Sequence, residues 1–258
     1  MKKNKMNIKK KLIKNFNNLK IKKNSNLVVH CNLLSFGILD PKLPEIILET
    51  LKNLVGSKGN IAMPSYNIHK KNRRTYSDKI LNFKNSGGLS KVFFEKYRVS
   101  KSKSIYHSHI IAGPLSRNFS NRSFCGSFGS KSDFNFFLKN KFYLLLLGCD
   151  ASEGCTYLHN LEYMEKVPYR SNKKIKIKFI KNKKEVNREF LYPIRIKNAH
   201  VNLNNVFFNK KIKKKTILAK LNSAKSYMIK IYDLDKISKK LLKENQYILL
   251  NDFVTKIY

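Results

Sequence analysis

The stretch 142–170, FYLLLLGCDASEGCTYLHNLEYMEKVPYR, decides how this chain is read. Its apolar run at 144–147 stops at Gly148-Cys149-Asp150. A loop containing Gly154 then leads into a segment of helical spacing that carries Thr156, His159 and Glu162. A short apolar run bounded by turn signals reads as a strand buried on both faces, as parallel sheets require. Run, loop and helix together place an imidazole and a carboxylate at the carboxyl end of that strand. This is the edge at which open α/β sheets bind ligands.

Upstream, residues 26–30 (NLVVH) form a β-branched run, followed by the turn Cys31-Asn32 and then LLSFG. Residues 40–55 have helical periodicity, with Leu43, Ile46, Ile47, Leu51 and Leu54 on one face. Residues 59–63 (GNIAM) read as the next strand, stopped by Pro64 and followed by Ser65-Tyr66-Asn67. Strand, helix and strand in that order imply a βαβ unit and a parallel sheet. Residues 6–23 carry Met6, Ile8, Leu12, Ile13, Phe16, Leu19 and Ile21 near helical spacing. Packing of that stripe on the domain is preferred to a helix lying on a membrane. Residues 68–86 read as a polar loop, 89–97 as a helix opened by Gly87-Gly88, and 134–138 as a short helix.

Beyond Arg170 the pattern changes. Residues 174–179 and 190–196 alternate apolar and polar positions, the signature of half-exposed antiparallel strands, whereas 212–221 and 237–242 read as helical. The expected fold class is α/β: a central, mostly parallel sheet flanked by helices, with a smaller antiparallel β-rich region in the C-terminal third. One domain over 1–258 is expected. Residues 1–170 would form the α/β core with most of the active site, and 171–258 a β-rich subdomain with the C-terminal helices.

With 258 residues, 42% hydrophobic and 12% aromatic, the chain suits one large globular domain. It has no apolar run long enough to span a membrane, and its basic N-terminus has neither an apolar signal core nor a small-residue cleavage site. Cys31, Cys125, Cys149 and Cys155 lack the paired spacing of a zinc site or disulfide framework, so a cytoplasmic location with reduced thiols is expected. The net charge of +38 taken alone points to nucleic acid or an anionic membrane. Lys far outnumbers Arg, however, and Asn, Ile and Phe are abundant, the joint excess that AT-rich coding produces. The lysines are scattered, and Arg, the residue suited to bidentate readout, is scarce. No specific nucleic-acid partner is expected, and a basic nucleic-acid-binding protein is kept as the alternative. Either way the surface attracts anions.

Thr156, His159 and Glu162 are spaced by three and share one side of a helix. As a catalytic set, His159 would take a proton while Glu162 fixes its tautomer and stabilises the imidazolium. Spacing alone favours a plainer reading: a Thr156 N-cap, a surface histidine and a solvated glutamate. Cys31 has no assignable base and reads as a small hydrophobe more readily than as a nucleophile. His107-Ser108-His109 fits a metal pair or a polar turn, and no third ligand can be assigned. Neither a GxxxxGK[ST] loop nor GxGxxG occurs, so dinucleotide chemistry is unsupported.

Taken in order, these blocks resemble the aminoglycoside 3-N-acetyltransferase family. Residues 29–37 (VHCNLLSFG) are similar to the family's VHSSLSSLG, and 59–65 (GNIAMPS) to its GTLVMPT. Residues 88–93 resemble its G-L-P-E-x-F helix, 101–114 its RS-x-x-P-x-HS block ending in G-P, and 128–132 its FG-x-x-SP loop. Residues 145–162 match LLLGV…T-x-LH-x-AE, with Thr156, His159 and Glu162 all in place. The departures are Cys31 and Asn32 for paired serines, Ile105 for the Pro and Lys101 for the Arg.

The resemblance implies transfer of acetyl from acetyl-CoA to an amine of an aminosugar, without a metal. His159 is the implied general base and Glu162 its orienting partner, with Thr156 or backbone N–H groups holding the oxyanion. His30, Cys31, Asn32, Leu33, Ser35, Ser102, His107 and Ser108 are the implied walls for the pantetheine arm and thioester. Tyr66, Asn67, Asp150 and Glu153 are expected on the acceptor side. Polycationic drugs favour an acidic cleft, so an anionic, nucleotide-linked amino sugar suits this basic chain better than an aminoglycoside. A catalytically inactive relative and a homodimer both stay open.

Overall fold

The computed structural model describes residues 2–67, 75–77, 83–84, 86–123, 126–181, 184–197, 199–207 and 209–250. Most of the loop expected at 68–86, Cys125 and the end of the chain lie outside the described residues. Spacing of three and four makes helix α1 (Lys2–Asn18) amphipathic, with Ile8, Leu12 and Phe16 buried and Lys10, Lys11 and Lys14 exposed. Met6, read as part of that stripe, is exposed. The chain continues through β1 (Asn26–Cys31), α2 (Leu43–Val55), β2 (Asn60–Pro64), β3 (Thr75–Ser77), α3 (Gly88–Lys96), β4 (Ser100–Lys101) and β5 (His109–Ala112). Helices α4 (Ser116–Ser120) and α5 (Asp133–Lys139) precede β6 (Tyr143–Leu147), which leads into α6 (Ala151–Gly154) and α7 (Tyr157–Met164). A long hairpin, β7 (Arg170–Lys181) and β8 (Lys184–Arg195), is followed by α8 (Asn204–Phe207) and α9 (Lys210–Lys213). The hairpin β9 (Ile217–Leu221) and β10 (Ala224–Lys230) then leads into α10 (Ile231–Glu244).

Seven strands form one sheet in the order β4-β5-β2-β1-β6-β10-β9. Its centre is parallel: Val28 sits between Ala62 of β2 and Leu144 of β6. The four outer strands are antiparallel. Both faces of the centre are covered, which is why these strands read as nearly unbroken apolar runs. Alternation along them divides the core. Val28, Ala62, Leu144 and Leu146 pack towards Phe137, Leu158 and Leu234. Leu27, Val29, Ile61, Met63, Leu145 and Leu147 pack towards Leu12, Phe16, Ile47 and Leu51.

In the second sheet, β7 and β8 pair from Arg170–Arg195 to Lys181–Lys184, and β3 runs parallel to β7. This is the antiparallel region expected after Arg170, with longer strands. The helix read over 212–221 is corrected: only Lys210–Lys213 is helical there, and Ile217–Leu221 is an edge strand of the main sheet. Its apolar residues satisfy either period, and pairing with β10, which docks on β6, selects the strand. The last third of the chain therefore feeds both sheets.

Gly148 ends β6 with φ +65°, and a Cβ there would overlap Ser35 Oγ and lie 2.9 Å from the Asn32 carbonyl oxygen. The Ser35 hydroxyl donates to that same carbonyl at 2.8 Å, and Asn32 N–H donates to Leu147 O at 3.0 Å. A missing side chain thus lets the turns after β1 and β6 meet at the carboxyl edge of the sheet. Gly148→Ala is expected to lower unfolding free energy in urea by about 2 kcal/mol or more, the left-handed backbone supplying about half. Ser35→Ala in the same chain should recover part of the loss.

Candidate active site

At the carboxyl end of β6, Asp150 caps α6 by accepting from Ser152 N–H at 3.0 Å and Glu153 N–H at 3.3 Å. Thr156 occupies the equivalent position before α7 but makes no cap bond. The side-chain N-cap favoured by spacing is thereby corrected. One helical turn places His159 Nδ1 2.7 Å from Glu162 Oε2. Glu162 is fully buried and His159 is 29% exposed, so the pair is neither a surface histidine nor a solvated glutamate.

Two residues not singled out in the sequence complete the carboxylate's shell. Arg170, at the start of β7, lies 2.6 Å from Glu162 Oε2, and the Tyr169 hydroxyl donates to Oε1 at 3.0 Å. Both fall within the 142–170 stretch, but helical spacing could not reveal them. The chain turns back at Lys166 (φ +52°), with Val167 N–H donating to Glu162 O at 3.2 Å. Burial by itself would raise the Glu162 carboxyl. The hydrogen bond and charge of His159, with Arg170, outweigh it and hold the carboxyl below its ordinary value of 4.5. The carboxylate at 2.7 Å and the Arg170 guanidinium at 3.0 Å both engage Nδ1, which leaves Nε2 for chemistry.

The walls come from other strands. His107 is buried, 4.7 Å from Phe128, 5.0 Å from Tyr66 and stacked at 6.2 Å on Tyr192 of the long hairpin. Burial, then the neighbouring His159 and His109, push the His107 imidazolium well out of reach at neutral pH, so the ring is neutral. His30, buried at the end of β1, is pushed down to about 3 by burial and by His109. Cys31, Asn32, Leu33 and Ser35 are half-buried along the β1 turn. Burial and then Cys149 hold the Cys31 thiol high, far from the thiolate a nucleophile needs. Ser102 and Ser108 are committed inward: Ser108 Oγ donates to Ser65 O at 2.6 Å, and Ser102 Oγ accepts from His109 N–H at 3.3 Å. Tyr66 and Asn67 are buried, whereas Asp150 before α6 and Glu153 on it are exposed. Asn67 Oδ1, His107 Nδ1, Ser127 Oγ and Arg170 Nε are buried without a hydrogen-bond partner among the described residues.

A cavity of about 350 Å³ opens between α7 and the hairpin, lined by Phe128, Gly129, Tyr163, Met164, Glu189 and Phe190. Gly126 lets Phe190 approach, since a Cβ there would overlap its ring. Among the described residues, no group of three or more His, Cys, Asp or Glu side chains is placed to hold a metal ion. Nor is any helix long and apolar enough to cross a membrane. His109, half of the suspected metal pair, is bound instead to Asp133.

A family model described as aminoglycoside 3-N-acetyltransferase matches residues 28–243. Among curated proteins no relative matches. The YokD protein of Bacillus subtilis is 19% identical at a TM-score of 0.76, over 92% of this chain and 99% of that one. A histidine-to-alanine mutant of the aminoglycoside acetyltransferase AAC(3)-IVa in complex with gentamicin is 21% identical at 0.78, over 96% and 93%. AAC-IIIb in a binary complex with CoASH is 13% identical at 0.75, over 92% and 96%. At these identities the likeness shows a shared fold.

The Glu162 shell has a pH signature. Its folded-state carboxyl titrates lower than the unfolded one. The resulting stability is therefore full above the unfolded value and is lost as pH falls through the folded one. Arg170→Met leaves the buried carboxylate without its cation and is expected to cost about 3–5 kcal/mol at pH 7 in urea unfolding. The gap from the parent should narrow as the pH is lowered through 4.5 and below.

Proposed function

Because the chain belongs to the aminoglycoside 3-N-acetyltransferase family, and is therefore an acyltransferase, we propose that it moves acetyl from acetyl-CoA to the amine of an amino sugar, with His159 as general base. The observation that carries this is His159 Nδ1 held on the buried Glu162 at 2.7 Å, which leaves Nε2 as the one ring nitrogen open to a substrate. An amine at neutral pH is mostly protonated and not nucleophilic. His159 accepts its proton while the nitrogen attacks the thioester carbonyl, and the coenzyme thiol departs. Glu162 stays ionised and stabilises the imidazolium. The oxyanion that develops needs a donor, either Thr156 or a backbone N–H of the flanking turns.

The turn of His30, Cys31, Asn32, Leu33 and Ser35 and the block of Ser102, His107 and Ser108 form the donor side in this reading. Tyr66, Asn67, Asp150 and Glu153 form the acceptor side. The unpartnered buried atoms of Asn67 and His107 fit a polar ligand, and the basic surface fits the phosphates of coenzyme A. The whole of 1–258 acts as one catalytic unit, cytoplasmic, with a homodimer as the assembly to test by sedimentation.

Charge selects the acceptor. Arg170 neutralises Glu162, Arg122 neutralises Asp133 and Lys174 pairs with the exposed Glu189 of the cavity at 2.8 Å, which leaves Asp150 and Glu153 as the solvent-facing carboxylates named at the cleft without a cationic partner. A polycationic drug finds little to bind. A nucleotide-linked amino sugar brings phosphates to a chain of net charge +38, near a hairpin that exposes Lys173 and Lys176. His159→Ala is expected to lower the acetylation rate by about 10²–10⁴-fold while calorimetry still registers acetyl-CoA binding. Turnover of UDP- or dTDP-amino sugars should exceed that of gentamicin-type drugs. Fast turnover of the drugs alone would sink the acceptor assignment.

A further inference from the structure

The amino-terminal edge of the parallel centre, at the far end from the proposed site, carries a cavity that the mechanism above does not use. Its volume is about 770 Å³, the size of a small-molecule site. It opens where β1 and β6 begin and β10 ends, with Tyr143 in register with Leu27 on one side and Lys230 on the other. Hydrogen bonds fix the segments around it. Asn26 Nδ2 donates to Asn140 O at 2.9 Å, Ile231 N–H to Phe142 O at 3.0 Å and Asn24 N–H to Val55 O at 2.8 Å. The cleft beside His159 lies beyond the other end of the same strands. From Tyr143 to Leu147 is about 13 Å at the usual rise of a strand, and that path runs through buried core.

Five lysines line the cavity from three separate stretches of chain. Lys22 and Lys23 precede β1, Lys139 and Lys141 flank the turn from α5 into β6, and Lys230 ends β10. All five are exposed, and no aspartate or glutamate lines the cavity. None of the five is paired with a carboxylate among the described residues, whereas Lys174, Lys178 and Lys239 each hold one. Ammonium groups gathered on one concavity repel each other and focus a positive potential inside it, which a bound polyanion relieves. The same lining also holds Leu138, Phe142, Tyr143 and Tyr232, and Tyr232 is 57% exposed.

A single phosphate would use the lysines and leave the rings idle. A ligand that joins several phosphates to a planar ring uses both, because any nucleobase has a face that stacks on an aromatic side chain. A nucleic-acid strand is bound along an extended groove, and the volume here is that of one small molecule. We propose that this cavity binds a nucleoside di- or triphosphate, with its phosphates on the five lysines and its base on Tyr232. The site is separate from the cleft and stands independently of the acetyltransferase reading.

The test is calorimetric titration of the full chain with ATP at about 0.15 M salt, where attraction between charges more than about 8 Å apart is largely screened. Saturable binding is expected. Lys141→Ala/Lys230→Ala should weaken it by about tenfold or more, the loss of at least one charge-assisted contact. Lys10→Ala/Lys14→Ala on α1 removes the same charge from a helix that does not line the cavity and should leave the affinity unchanged. Tyr232→Ala should weaken ATP by about tenfold and leave inorganic tripolyphosphate, which has no ring to stack, unaffected. All of these side chains are exposed, so the variants should keep the parent's urea midpoint. Equal weakening by the two lysine pairs would reduce the binding to diffuse charge and overturn the proposal. ATP affinity that survives Lys141→Ala/Lys230→Ala, or a single-stranded oligonucleotide bound more tightly than ATP through the same lysines, would overturn it too.

Discussion

A carboxylate with no exposed surface has to be met by donors from several directions, and Glu162 sets that condition for the site. His159 meets it from the same helix, Arg170 from the first residue of the long hairpin and Tyr169 from the turn between them. The bonds therefore do more than orient an imidazole. They join α7, at the carboxyl end of the parallel centre, to the hairpin that carries Tyr192 over His107. Base, carboxylate and wall are held by one electrostatic knot, in which a misplaced element would leave a buried charge unpaired.

The sheet explains why the knot lies where it does. Three parallel strands end side by side, and the turns after β1 and β6 close on each other through Gly148. The antiparallel strands β5 and β4 bring His107, His109 and Ser102 to the same edge from the far side of β2. Four histidines meet the cleft in different states of burial. His159 is partly open to solvent, whereas His30, His107 and His109 are buried, so only the first is placed to exchange protons with a substrate.

Much of this was legible in the residues. Strands β1, β2 and β6 and helix α2 follow from apolar runs, helical spacing and turn residues, because their burial is uniform enough to mark the sequence. The trio Thr156, His159 and Glu162 was visible as a pattern but ambiguous as chemistry, since spacing on a helix does not say whether that face is buried. The segment 212–221 went wrong for a related reason: Ile217, Ala219 and Leu221 fit a strand as well as a helix until β10 lies beside them.

The sequence by itself determined the parallel centre, the order of its elements and the strand-to-helix corner that carries His159, because these depend on local periodicity and neighbouring turns. Only the tertiary structure decided what surrounds that corner. Arg170 and Tyr169 reach Glu162 after a reversal of the chain, and Asp133 meets His109 across 24 residues of sequence. Thr156 precedes α7 without the cap bond that its spacing suggests. Hydrogen bonds between distant segments leave no period in the sequence. Their partners are chosen by which buried polar groups the packed sheet brings within reach.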